Sequence, residues 1–269
     1  MIKLKNPQKV FWQSQKTTKG DLFEYYQLIA SKILPYLKNR PITIERCPNG
    51  VGKECWIQKE APENLPTFIK TYSSKAKSTG KIIHYILVNN QNTLLWLVNQ
   101  AAIEFHIWLS RYNQKNPDWF VFDLDIVKGK LNDLKNLAFI IKEKIEKDQY
   151  QPFLKSTGRT GFHIQCNNKH HLSYQKTREY VQNVAVEISK ENPKLLSLEP
   201  RVKDRKAACY LDSAQNARGR HIVAPFSIRS TKAFSVSMPI DWNQLESFKY
   251  QQLSPKEYIS QIKKIEKWI

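Results

Sequence analysis

Apolar residues recur along this chain with two periods, 3.6 and 2, and the alternation between them predicts the order of elements. Leu22, Phe23, Tyr26, Ile29, Ala30, Ile33 and Leu34 repeat at helical spacing behind Thr18-Lys19-Gly20-Asp21, which resembles a capping box, so a helix is expected up to a break at Pro35. Residues 41–45 and 54–58 read as strands around a turn at Pro48-Asn49-Gly50. Residues 63–82 are polar, with a basic run through Lys70, Lys75, Lys77 and Lys81, and read as a solvated loop rather than a phosphate track. Helices are expected over 93–105, 131–147, 177–189 and 255–269, the last with Trp268 on its apolar face. Strands are expected over 120–125, 150–155, 162–165, 207–211, 221–224 and 226–229. The pattern is that of a mixed α/β or α+β protein.

One strand carries chemistry. In Phe120-Val121-Phe122-Asp123-Leu124-Asp125 alternation puts Val121, Asp123 and Asp125 on one face and the large apolar residues on the other. Two carboxylates that close repel unless a cation lies between them, and carboxylate oxygens suit Mg²⁺ and Mn²⁺. A strand end whose acids merely face water is the bland alternative.

Composition narrows the partner. Lys and Arg number 43 against 24 acids, a net charge of +19, with 12% aromatics, which suits a polyanion whose bases stack on rings. Nucleic acid is expected ahead of an anionic membrane. The amino terminus lacks an apolar signal core and no 18-residue apolar run occurs, so a soluble, cytoplasmic, nucleoid-associated protein is expected. Cys47, Cys55, Cys166 and Cys209 form no C-x-x-C pair, and all four are read as packing residues rather than as a disulfide or zinc framework.

Downstream, Ser156-Thr157-Gly158-Arg159-Thr160-Gly161-Phe162-His163 joins two strands through a turn of hydroxyls and glycines able to cradle phosphate, and His163 shares a face with Gln165. An ordinary β-turn beside a structural histidine is the alternative. A third acid, Asp212, ends the apolar run Cys209-Tyr210-Leu211, with Arg205 before it and Arg229 after it. Three carboxylates on strand ends are what a two-metal centre needs, and Arg suits a triphosphate.

The ordered set of Phe122-Asp123-Leu124-Asp125, Ser156-Thr157-Gly158 with Gly161 and His163, and Leu211-Asp212 resembles the three signature motifs of the archaeo-eukaryotic primase superfamily, most closely the polymerase domain of bacterial ligase D. The likeness extends through Asn39-Arg40-Pro41, Pro48-Asn49-Gly50-Val51, Asp212-Ser213-Ala214-Gln215-Asn216 and Val223-Ala224-Pro225-Phe226-Ser227-Ile228-Arg229. It implies a single primase-polymerase domain over 1–269, with DNA-end contacts in about 1–115 and a catalytic core in about 116–269. It also implies an RRM-like sheet flanked by helices and an accessory sheet. The implied activity is template-directed, ribonucleotide-preferring nucleotidyl transfer in end joining, with two Mn²⁺ or Mg²⁺ ions on Asp123, Asp125 and Asp212. Nucleotide contacts fall on His106, Ser156, Thr157, Arg159, Thr160, His163, Arg205, Gln215 and Arg229; a 5′-phosphate pocket falls on Asn6, Lys9 and Lys19; template contacts fall on Trp56 and Ile57. Partners would be gapped or broken DNA, nucleoside triphosphates, a separate ligase and an end-binding protein. Thr160 stands where relatives commonly carry Lys, and Ile57 where they carry an aromatic. A primase starting chains de novo and a non-catalytic DNA end-binding module are the competing functions.

Overall fold

The computed structural model describes residues 2–76, 79–265 and 268. The chain divides into two compact units, one built from Met1–Asn113, His221–Ser237 and Gln251–Lys267, the other from Gln114–Arg220, Met238–Tyr250 and Trp268–Ile269.

The first unit contains strands β1 (Val10–Trp12), β2 (Thr17–Thr18), β3 (Pro41–Arg46), β4 (Trp56–Gln58), β5 (Lys70–Lys75), β6 (Ile82–Leu87), β7 (Ala102–Ile107), β13 (Ile222–Val223), β14 (Ile228–Arg229) and β15 (Ser235–Val236). Its helices are α1 (Lys19–Leu28), α2 (Ala30–Leu37), α3 (Gln91–Asn99) and α6 (Pro255–Lys264). An antiparallel sheet runs β13-β7-β3-β6-β5, with β4 added on β3; β1 pairs with β2 and β14 with β15. Its core is aromatic: Tyr26 meets Phe105 edge-on at 5.1 Å, and the buried hydroxyls of Tyr25 and Tyr26 donate to the carbonyls of Phe226 and Ile103.

Capping by Thr18 and Asp21 is present as expected. The break, however, falls at Ile29 rather than Pro35, and α2 continues through the proline. Buried Ile33, Tyr36 and Leu37 outweigh the one ladder bond Pro35 cannot donate. The expected helix over 93–105 stops at Asn99, because Ala101 takes a left-handed turn (φ 67°) and Ala102 onward pairs with β3. Residues 70–75 are not loop but the edge strand β5, polar because its outer edge faces solvent; Lys77 lies outside the described residues. The α6 helix ends at Lys264, and Glu266, Lys267 and Ile269 of the expected helix also lie outside them. Cys47 and Cys55 are joined as a disulfide with Cα atoms 4.4 Å apart, correcting their reading as packing residues. The β3–β4 pairing brings these neighbours of the hairpin together, a proximity that spacing alone hides. Cys166 and Cys209 are free and buried.

The second unit contains β8 (Trp119–Ile126), α4 (Leu131–Lys147), β9 (Pro152–Ser156), β10 (Gly161–Asn167), α5 (Tyr174–Glu191), β11 (Leu196–Ser197), β12 (Cys209–Leu211) and β16 (Pro239–Ile240). Its sheet runs β11-β12-β8-β10-β9-β16, antiparallel apart from β11 with β12. The succession strand, helix, strand, strand, helix, strand, with β8 and β10 central, is the RRM-like grammar. Phe120, Phe122 and Leu124 pack with Leu137, Ile141, Val181 and Ile188 of the two helices. Each fully buried side chain of this size contributes roughly 1.5–3 kcal/mol. That burial turns Val121, Asp123 and Asp125 to the opposite face of β8.

Candidate active site

In the second unit the register of three strands assembles one row of ionisable groups. His163 on β10 lies opposite Asp123 on β8 and opposite Lys155 on β9. The His163 Nε2 atom is 3.0 Å from Asp123 Oδ1. A carboxylate only accepts, so Nε2 carries the hydrogen. His163 and Lys155 are both buried. Asp125 lies opposite Gly161, where no side chain fits: a Cβ at this position would come within 2.5 Å of Leu124 O and 2.7 Å of Asp125 Oδ1. Gly161 is therefore required by its close approach to the acid strand, more than by any approach of a ligand to its amide.

The turn before it is organised by Thr157. Its amide donates to Gly161 O at 2.9 Å, and its hydroxyl oxygen accepts from Gly161 N at 3.3 Å. Gly158 takes φ 74°, leaving Arg159 and Thr160 exposed at the tip while Ser156 and Thr157 are buried. Asp212 is tied to the acid strand through its amide, which donates to Asp123 O at 3.0 Å. Its carboxylate accepts from Ala214 N at 2.9 Å and from Gln215 Nε2 at 3.2 Å. Asn216, buried, holds Val121 by donating to its carbonyl at 2.7 Å and accepting from its amide at 2.8 Å. Arg205 donates to the carbonyls of Glu199 and Pro200 and stacks 3.3 Å from the Tyr210 ring centre.

The field around these acids is negative. Burial, then Asp212, raises the Tyr210 hydroxyl, and burial with Asp133 and Asp125 pushes the Cys209 thiol up to about 12. Asp123, Asp125 and Asp212 do not close within 4.8 Å into a cage. Hard carboxylate donors that leave coordination positions for water and phosphate are the set that suits Mg²⁺ or Mn²⁺, so the residues fit a divalent ion. Glu45, Cys47 and Cys55 do lie within that distance, but their sulfurs are committed to each other.

The first unit holds the remaining expected residues. Glu104 and His106 alternate on one face of β7, and the His106 Nε2 atom is 2.8 Å from Glu104 Oε2. Arg229 Nε lies 3.1 Å from the same oxygen, close enough for an ion pair. Burial works against the Glu104 charge, but His106, Arg229 and the Ser230 amide hold its carboxyl well below the usual range.

Asn6, Lys9 and Lys19 line a single cavity of about 240 Å³ with Arg46, Asn99 and others. Lys19 is buried, and its ammonium donates to Lys5 O, Asn99 O and Asn99 Oδ1 at 2.7–3.0 Å. Burial, then Lys9 and Lys5, lower its pKa. Lys9 donates to Asn49 Oδ1 at 3.2 Å. On β4, Trp56 and Ile57 are both exposed, and Arg46 sits 5.5 Å from the Trp56 ring centre. Glu104, Lys155 and Asn216 escape a reading of the sequence alone. A lone acid or lysine in an apolar strand is the available signal for the first two, and the Asp-Ser-Ala-Gln-Asn run for the third.

Residues 18–268 match the family model for the LigD primase-polymerase domain. The bifunctional non-homologous end joining protein LigD of Bacillus subtilis is 28% identical over 89% of this chain and 38% of its own length. The multifunctional LigD of Mycolicibacterium smegmatis is 27% identical over 91% of this chain and 32% of its own. The chain thus spans well under half the length of these relatives. The polymerase domain from Mycobacterium tuberculosis Ligase D, solved in complex with DNA, superposes with a TM-score of 0.93 over 98% of this chain and 94% of that one at 24% identity. A strand-borne acid pair, a third acid directly after the neighbouring strand and a family match running almost end to end converge on one conclusion: the chain belongs to the LigD primase-polymerase domain family.

Proposed function

We propose that this chain is a DNA-directed nucleotidyltransferase that extends or fills DNA ends for break joining. The observation that carries the reading is the acid strand β8, held with its apolar face in the core and with Asp123 beside His163 on the other. Asp123, Asp125 and Asp212 would hold Mg²⁺ or Mn²⁺, which when bound supplies charge neutralisation at the phosphates and acidifies an attacking hydroxyl. His163 orients Asp123, Gly161 sets the seat of Asp125, and Thr157 shapes the turn that offers Arg159 to phosphate. Arg205, His106 and Arg229 serve the triphosphate, Gln215 steadies Asp212, and Trp56 and Ile57 offer surface to template bases.

The cavity lined by Asn6, Lys9 and Lys19 is the seat for a downstream 5′-phosphate. Lys19 spends its donors on main chain and Asn99, so it holds the wall, while Lys9 and Arg46 supply reach and charge. The ligase and the end-binding protein would come from other polypeptides or other domains.

The test is nucleotide addition on a gapped duplex, with rNTP against dNTP and 5′-phosphate against 5′-hydroxyl. Asp123→Ala, Asp125→Ala and Asp212→Ala should each lower addition by about three orders of magnitude or more while DNA affinity holds. Unchanged addition by the triple variant would remove the assignment; DNA binding without any addition by the wild type would favour a pure end-binding module.

A further inference from the structure

Glu104 is a buried acid that none of the three signature motifs contains, and its surroundings distinguish it from a core carboxylate that merely found partners. Its two oxygens are approached by His106, Arg229 and Ser230. Oε2 faces His106 Nε2 at 2.8 Å and Arg229 Nε at 3.1 Å. Oε1 accepts from the Ser230 amide at 2.7 Å and lies 2.9 Å from Ser230 Oγ. The same hydroxyl lies 2.8 Å from Glu45 Oε2, and Glu45 sits directly opposite Glu104 across the β3–β7 pairing. Two acids placed face to face repel, so a sequence that needed only packing would not put them there. The arrangement makes sense if the groups that Glu104 gathers, His106, Arg229 and Ser230, are what matters.

We infer that Glu104 is the positioning residue that fixes the His106 ring and the Arg229 guanidinium for the incoming nucleotide's phosphates. The inference rests on the proposed assignment of His106 and Arg229 to the nucleotide. Because a carboxylate only accepts, Glu104 forces the hydrogen onto His106 Nε2 and so sets the ring's orientation and the role of Nδ1. Arg229 is a long side chain with several rotatable bonds; anchoring its Nε end removes orientational freedom before the ligand arrives. Ser230, next in the chain after Arg229, is pinned to the same carboxylate through its amide, so backbone and side chain at this point of β14 are referred to one atom group. Glu104 itself is 1% exposed, so its role is played through the neighbours it holds.

The competing role is that of a counter-ion which only neutralises a buried guanidinium. The two roles predict opposite signs. A mere counter-ion weakens the attraction of Arg229 for phosphate, so Glu104→Gln would bind nucleotide as well or more tightly at some cost in stability. A positioning residue, when lost, weakens nucleotide binding despite the added net positive charge.

The experiment measures binding of a non-hydrolysable nucleoside triphosphate analogue in the presence of Mn²⁺, alongside steady-state addition to a gapped duplex, for wild type, Glu104→Gln, Arg229→Ala and the double variant. The expected result is a rise of about tenfold or more in the analogue's Kd and in KM for Glu104→Gln, with DNA affinity unchanged. The double variant should lose less than the product of the two single losses, because both changes disturb the placement of Arg229, while the loss of the His106 anchor persists. An unchanged or lower Kd in Glu104→Gln, or losses that multiply in the double variant, would overturn the inference. If Glu104→Gln does not fold, Glu104→Asp, which keeps the charge but withdraws it by one methylene, is judged by the same two criteria. A wild type that neither binds the analogue nor adds nucleotide overturns the nucleotidyltransferase reading itself; a wild type that does both beside an unaffected Glu104→Gln overturns only the role of Glu104.

Discussion

Gly161 shows how a single residue type can be dictated by a neighbour's carboxylate. Its missing side chain is the space that Leu124 O and Asp125 Oδ1 occupy. Gly161→Ala must push β10 away from β8 or drive Asp125 out of its seat, since a carbonyl cannot yield as a flexible side chain can. The expected cost is about 2 kcal/mol of stability, together with a fall in nucleotide addition larger than the loss of folded protein explains. Denaturant unfolding and extension on the same preparation check this, and a fully active variant of wild-type stability would refute it. The motif's glycine was legible in the sequence; its reason was not, because Asp125 lies 36 positions away and meets it only through strand register.

At the scale of elements, β3 and β4 are bound together by ladder pairing and by the disulfide from Cys47 to Cys55. The link closes a loop with a sequence separation of 8 residues, which by loop entropy stabilises by about 2–3 kcal/mol. Treatment with a dithiol reductant should lower the unfolding midpoint by an amount that Cys47→Ser reproduces, and the serine variant should no longer respond to the reductant. Identical midpoints with and without reductant in the wild type would show the link to be absent in solution. Elements whose signal is local came through well from sequence: α4 spans Leu131–Lys147 as periodicity predicts, and the capping box opens α1. Elements whose signal is not local did not. The polar strand β5 exists because it completes the edge of β6, and the turn at Ala101 ends α3 because β7 has a partner waiting in β3.

At the scale of the whole molecule, the proposed function together with a net charge of +19 would make affinity for DNA a matter of counterion release. Affinity for a gapped duplex should fall steeply with salt, with a logarithmic slope of about −5 or steeper, and Lys9→Ala should make that slope shallower by about one. A salt-independent affinity would rule out this electrostatic account. No helix among the described residues is long and apolar enough to cross a membrane. Composition, hydrophobic period and motif order were enough to determine the strong positive charge, the mixed α/β grammar and the three acids on or directly after strands, because each is written in neighbouring residues or in bulk charge. Tertiary structure alone decided that His163 meets Asp123, that Gly161 yields its space to Asp125, that Cys47 finds Cys55, that Lys19 is spent on carbonyls, and that Glu104 gathers His106 and Arg229. These depend on register and on which buried polar groups must satisfy one another, and such constraints arise only when segments distant in sequence share a dry interior.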